Sequence, residues 1–283
     1  MPDRTCLKRH LLYASVEAYH PRSPGYSSGP ARWLDSPSEV GARSIDFALA
    51  GRFAEGVVIA FRGTLPPLDL TPDGRRIVGP SFEQWPAVIR DWLNNLNTLP
   101  RPDAPTDVRP QLPGRIHPGF AGSLTGLWAG VAAAVERLRG GDPAIPLYFT
   151  GHSKGGALAN LAALCARRTW PEARVKAATF GAPRAGDSDF AQAYQAAGID
   201  CQRYEVRGDL VPDVPPGGVA VGPGHDVEAV TFRPPLGRLL SFPRIFVRDD
   251  RGILPPPIAA HLPYRDFGYD RHVYETGAGP EWS

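Results

Sequence analysis

Sulfur is scarce in this chain: its 283 residues carry three cysteines and a single methionine. Cys6, Cys165 and Cys201 are odd in number and share no spacing, so neither a disulfide framework nor a CxxC metal site is available, and the expected role is small apolar packing. Charge imbalance is missing as well. The 31 basic and 29 acidic side chains nearly cancel and no run of five like charges occurs, which argues against nucleic acid and against an anionic membrane as partners. No uninterrupted apolar run of the ~20 residues that cross a bilayer is present, and residues 1–10 hold no long apolar stretch of the signal-peptide kind. The default expectation is a soluble, cytoplasmic protein.

What the chain has in quantity is glycine, at 31, and proline, at 32. The length suits one large domain that buries a core without metals or disulfides, and no linker-like interruption divides the apolar segments, so residues 1–283 are read as a single domain. Leu7 to Tyr19 has helical spacing. Ser44 to Leu49 and Gly56 to Phe61 read as two strands of a hairpin joined around Gly51 to Glu55. Residues 65–86 are long for a connection, proline-rich yet partly apolar, which suits a lid or binding loop. Val88 to Leu96 reads as a short helix, Pro100 to Pro113 as a loop, and Ser123 to Arg139 as a helix ended by Gly140-Gly141. Strands at Val175 to Phe180 and Gln202 to Val206, with a helix over Asp187 to Ala197, continue an alternation that predicts a mostly parallel sheet with crossover helices, an α/β fold.

Into that alternation is set Thr150-Gly151-His152-Ser153-Lys154-Gly155-Gly156, with apolar Leu147-Tyr148-Phe149 before it and a helix-forming run from Ala157 after it. A serine on a sharp strand-to-helix turn holds its hydroxyl clear of the backbone, and glycines two residues to either side make room for the bend. The helix amides that follow, beginning with Lys154, lie where an oxyanion would form. Gly25-Tyr26-Ser27-Ser28-Gly29 fits the same string but sits among Pro21, Pro24 and Pro30 without strand or helix, and reads as a loop.

A serine at neutral pH needs a histidine to take its proton and a carboxylate to orient that histidine. Downstream of Ser153, Asp209 and Asp213 both lie just past a strand, and His225, His261 and His272 follow. Chain order does not rank them. His152 is adjacent to the serine, but neighbouring side chains diverge on a tight turn, and a packing role is expected. A second oxyanion donor is expected at Thr64, leaving the strand through Ile59-Ala60-Phe61.

Six segments in order resemble the class 3 lipases, the α/β-hydrolase family that includes fungal triacylglycerol lipases. They are Val58 to Thr64, Asp91 to Leu96, Ile116 to Phe120, Phe149 to Ala157, Thr179 to Gly186, and Gly208-Asp209-Leu210-Val211-Pro212. The resemblance implies an α/β-hydrolase fold and a serine esterase or lipase that works through an acyl-enzyme without metal or organic cofactor. It implies Ser153 as nucleophile, Asp209 as triad acid, Thr64 and Lys154 as oxyanion donors, and His261 as base, since a tyrosine follows a few residues on at Tyr264; His272 is the rival. It implies an ester or lipid substrate met in part at a transient lipid surface, and leaves the oligomeric state open. An acyltransferase on the same site and a catalytically silent binding protein of the same fold are the alternatives. This chain departs from the family at Lys154, where many members carry leucine, and in a lid segment without a clear greasy helical face.

Overall fold

The computed structural model describes residues 7–19, 31–41, 46–63, 112–206, 209, 211–215, 217–227, 247–249 and 252–254. Thr64, the lid expected over 65–86, the helix expected over 88–96, His261 and His272 lie outside the described residues, as does the side chain of His225.

A seven-stranded sheet runs in chain order: β1 (Ser38–Val40), β2 (Ala48–Phe53), β3 (Gly56–Phe61), β4 (Leu147–His152), β5 (Val175–Phe180), β6 (Asp200–Val206) and β7 (Gly224–Val227). The first three pair antiparallel and every later pair is parallel. Parallel neighbours need crossovers, and α2 (Pro118–Arg139), α3 (Lys154–Thr169) and α4 (Ser188–Ala196) supply three of them. Right-handed crossovers that always step in one direction leave their helices on one face of the sheet. The core obeys this. Val57, Ile59 and Phe61 of β3 join Leu147 and Phe149 of β4 in one cluster with α2, α3 and α4. The alternate residues Val58, Ala60 and Tyr148 face a second cluster built on α1 (Leu7–Glu17). Thr150 continues that second face, donating its hydroxyl to the Leu11 carbonyl at 3.2 Å. A separate two-stranded ladder pairs β8 (Val247–Asp249) with β9 (Gly252–Leu254). The architecture is the mostly parallel α/β sheet expected, flanked by helices, with an α/β-hydrolase order of elements.

α3 is the central element. From Gly155 to Ala166 every residue is buried, and Leu158, Leu161 and Leu164 each contribute about 1.5–3 kcal/mol by leaving water.

Two boundaries differ appreciably from the sequence reading. The hairpin strand β2 extends through Phe53 and leaves only Ala54-Glu55 as the turn, because Gly51 is a strand glycine: a Cβ there would lie 2.7 Å from the Trp33 ring. α2 starts five residues early, at Pro118, whose fixed φ suits the first helical position, and it ends at left-handed Gly140 (φ 58°) as expected. By length and composition α2 also meets the requirement for a membrane span, against the reading that no stretch does; its apolar residues Phe120, Leu124, Leu127, Val131 and Val135 are buried in the core.

Candidate active site

Ser153 joins β4 to α3 with no intervening loop, and the chain reverses there within one residue. Its φ of 57° and ψ of −131° make it the single non-glycine with positive φ among the described residues. Holding an L-residue in such a region costs about 1–3 kcal/mol, so the surroundings must over-determine it. They do. The Ser153 amide donates to the Phe180 carbonyl at the end of β5 at 2.9 Å, and the Ser153 carbonyl accepts from Gly156 at 2.9 Å to open α3. A Cβ on Gly151 would collide with the Gly155 carbonyl and lie 2.7 Å from the Gly156 nitrogen. One on Gly155 would strike the Phe61 carbonyl of β3, and one on Gly156 would lie 2.5 Å from the Ala182 methyl. Each glycine of the Gly-x-Ser-x-Gly-Gly string is thus accounted for by a neighbouring backbone or methyl. The first α3 amides, Lys154 and Gly155, have no intrahelical acceptor by position and carry the positive end of the helix dipole. Ser153 itself is 3 % exposed, so the turn lies buried in the fold.

His152 points to the α1 face. Its Nδ1 shares a 2.8 Å hydrogen bond with the Tyr19 hydroxyl and its ring centroid lies 5.8 Å from that of Tyr19. This is the packing role expected of it. The exit of β3 passes directly beneath: a Cβ on Gly63 would lie 2.7 Å from the His152 carbonyl oxygen and 2.8 Å from Tyr19 Cζ.

The ammonium of Lys154 meets Asp46 Oδ1 at 2.5 Å, with the two side chains only 19 % and 25 % exposed. The positive charge that the sequence places beside Ser153 is therefore compensated from the residue two before β2.

The two acid candidates separate by environment. Asp209 follows β6 by three residues, at the carboxyl edge of the sheet, where register carries Tyr204 of β6 to Phe180 of β5 and on to His152 of β4. It is buried, and its Oδ1 accepts from the Val211 amide at 2.9 Å. Asp213 lies in the short 3₁₀ turn Val211–Asp213, its side chain 71 % exposed and paired with Arg184 at 3.1 Å. His225 sits in β7 opposite Tyr204.

Three site neighbours carried no signal in the sequence. Tyr19 and Asp46 are 133 and 108 residues from the partners they bind. Glu205 is the third: burial pushes its carboxyl above the usual range, Arg203 at 2.5 Å opposes that, and the charges of Asp209 and Asp213 add to it. Cys165 and Cys201 pack in the core, their thiols pushed up to about 12 by burial. Among the described residues no group of three or more His, Cys, Asp or Glu side chains could hold a metal ion.

Comparison with known proteins places these features in context. The family model described as Lipase (class 3) matches residues 58–218. A lipase of Rhizopus oryzae is 32 % identical over 114 residues, which is 39 % of this chain and 29 % of that protein. The secreted mono- and diacylglycerol lipase 1 of Fusarium solani is 34 % identical over 103 residues, 36 % of this chain and 30 % of that protein. The chain thus covers less than a third of the length of either relative. In structure, the Rhizomucor miehei lipase propeptide complex superposes with a TM-score of 0.58 at 22 % identity, over 78 % of this chain and 67 % of that one. That likeness is one of fold, the α/β-hydrolase fold.

Proposed function

Because this chain belongs to the class 3 lipase family, whose model covers more than half of it, we propose that it hydrolyses carboxylic esters, acylglycerols among them, through a Ser153-His261-Asp209 triad. The observation that carries the reading is the backbone of Ser153, held at positive φ on a glycine-walled turn between β4 and α3. A protein gains nothing in stability from such a residue, and strain of this kind is kept where a reactive group must be presented.

The chemistry runs in two halves. His261 takes the Ser153 proton as Oγ attacks the ester carbonyl, and the new oxyanion accepts hydrogen bonds from the Thr64 and Lys154 amides. Asp209 orients the imidazole and stabilises its charged form. The alcohol leaves with the proton from His261, giving an acyl-Ser153. Water then loses a proton to His261 and attacks the acyl carbon, and collapse frees the acid and restores the serine. The reading draws its lipid substrates from the activity named for the Fusarium solani relative, a mono- and diacylglycerol lipase.

The test is hydrolysis of p-nitrophenyl esters from acetate to palmitate. Ser153→Ala is expected to lose roughly 10⁴-fold or more in kcat. His261→Ala is expected to fall with it while His272→Ala keeps its turnover. Undiminished activity in Ser153→Ala refutes the assignment, and added alcohols trapped as new esters identify transfer in place of hydrolysis.

A further inference from the structure

Lys154 belongs to two structures at once. Its amide opens α3 beside Ser153, while its largely buried side chain runs to Asp46 at 2.5 Å. The next residue, Phe47, accepts the Arg62 amide through its carbonyl at 2.9 Å, and the Arg62 guanidinium lies over the Phe47 ring, 4.9 Å from its centroid. Arg62 and Gly63 carry the chain out of β3 to Thr64. The dipeptide Asp46-Phe47 therefore grips both strands of backbone that supply oxyanion donors in the proposed reaction: the elbow through Lys154, the β3 exit through Arg62. Asp46 is itself seated, since a Cβ on Gly41 would lie 2.5 Å from its carbonyl oxygen and 2.6 Å from Leu127 Cδ2 of α2.

We infer that the Lys154–Asp46 ion pair is a positioning device for the oxyanion hole, fixing the Lys154 amide relative to the β3 exit at Arg62-Gly63; this rests on the hydrolase reading above. The bond is charge-assisted and mostly out of solvent, so it is short and little screened by salt. Oxyanion donors act on charge that exists only in the transition state, so displacing one lowers kcat and leaves ground-state binding nearly untouched. A displacement of about 1 Å is enough to cost on the order of a hundredfold. The side chain of Lys154 has no contact with reacting atoms in this scheme; it acts through the backbone.

The experiment compares wild type, Asp46→Asn, Lys154→Met and the double variant in kcat and KM for p-nitrophenyl butyrate. The rate at which a fluorophosphonate phosphonylates Ser153 is measured alongside. In that reaction Oγ displaces fluoride from phosphorus and the phosphonyl oxygen takes the oxyanion position. Each single variant is expected to lose about tenfold to a hundredfold in both rates with KM within about twofold, and the double to be no slower than the slower single, because the pair acts as a unit. Circular dichroism establishes that each variant is folded; Asp46→Asn, isosteric and still an acceptor, carries the test where Lys154→Met destabilises. Variants that label and turn over at the wild-type rate overturn the positioning role and leave the hydrolase reading standing. Losses that multiply in the double variant also overturn it. A wild-type protein that neither labels nor turns over overturns both.

Discussion

Two helical glycines, Gly155 and Gly122, should respond to alanine with opposite signs. Both lie near the start of a helix, where helix propensity favours alanine by up to about 1 kcal/mol. At Gly122 on α2 an added Cβ meets nothing within 4 Å, so Gly122→Ala should gain about 0.5–1 kcal/mol. At Gly155 the Cβ would lie 2.9 Å from the Phe61 carbonyl carbon and 3.0 Å from that of Arg62, with the Phe61 oxygen nearer still, against the 3.4 Å at which ordinary contact begins. Those atoms are backbone at the end of a central strand and just beyond it, and have no rotamer to move into. Overpacking of this kind costs about 1–3 kcal/mol, so after the propensity gain Gly155→Ala should lose about 1–2 kcal/mol. Because the displaced segment leads from β3 to Thr64, kcat should fall too. Urea unfolding followed by tryptophan fluorescence, with p-nitrophenyl butyrate turnover on the same samples, reads both effects. If the two alanines shift stability in the same direction, the close approach of β3 to the elbow is not real and the glycine account of the turn fails.

Ser153→Gly and Ser153→Ala should both be inactive, yet the glycine variant should be the more stable of the two by about 1 kcal/mol, since only glycine is at ease at φ 57°; a less stable glycine variant in urea unfolding refutes the strain. Asp209→Asn is expected to lower kcat by about 10⁴-fold and Asp213→Asn by less than twofold, as Asp213 is exposed and its pairing with Arg184 contributes little. Steady-state kinetics that rank them the other way would move the acid. Glu205 has its carboxyl held above the usual range by burial, so the folded state binds that proton more tightly than the unfolded chain does. Its contribution is present below the ordinary carboxyl range and is lost as pH rises through the raised value. Glu205→Gln, which mimics the neutral form, should therefore compare better with wild type at pH 7 than at pH 4 in urea unfolding, and a difference that does not change with pH refutes this.

Where neighbours along the chain decide the conformation, residue order was enough. β5 is the six residues Val175–Phe180 that alternation marks out, and α4 starts after the Asp187 cap because that carboxylate accepts the Asp189 and Phe190 amides two and three residues away. Ser153 on its bend, flanked by glycines, was legible for the same reason: strand, turn and helix follow one another without a break. The extent of β2 was not, because Gly51 looks like a turn until the Trp33 ring is known to lie against it. Nor was the start of α2, where Gly119 and Gly122 imitate a loop.

Periodicity and turn chemistry act over a few residues, and they determined the elements, their parallel order and the candidate nucleophile. Tertiary packing decided what surrounds that nucleophile: that Asp209 is buried while Asp213 is paired outside, that Tyr19 takes the His152 ring, and that Asp46 neutralises Lys154. Those contacts join residues up to 133 positions apart, and no local pattern encodes which charge will meet which when burial, rather than sequence distance, sets the energy of the encounter.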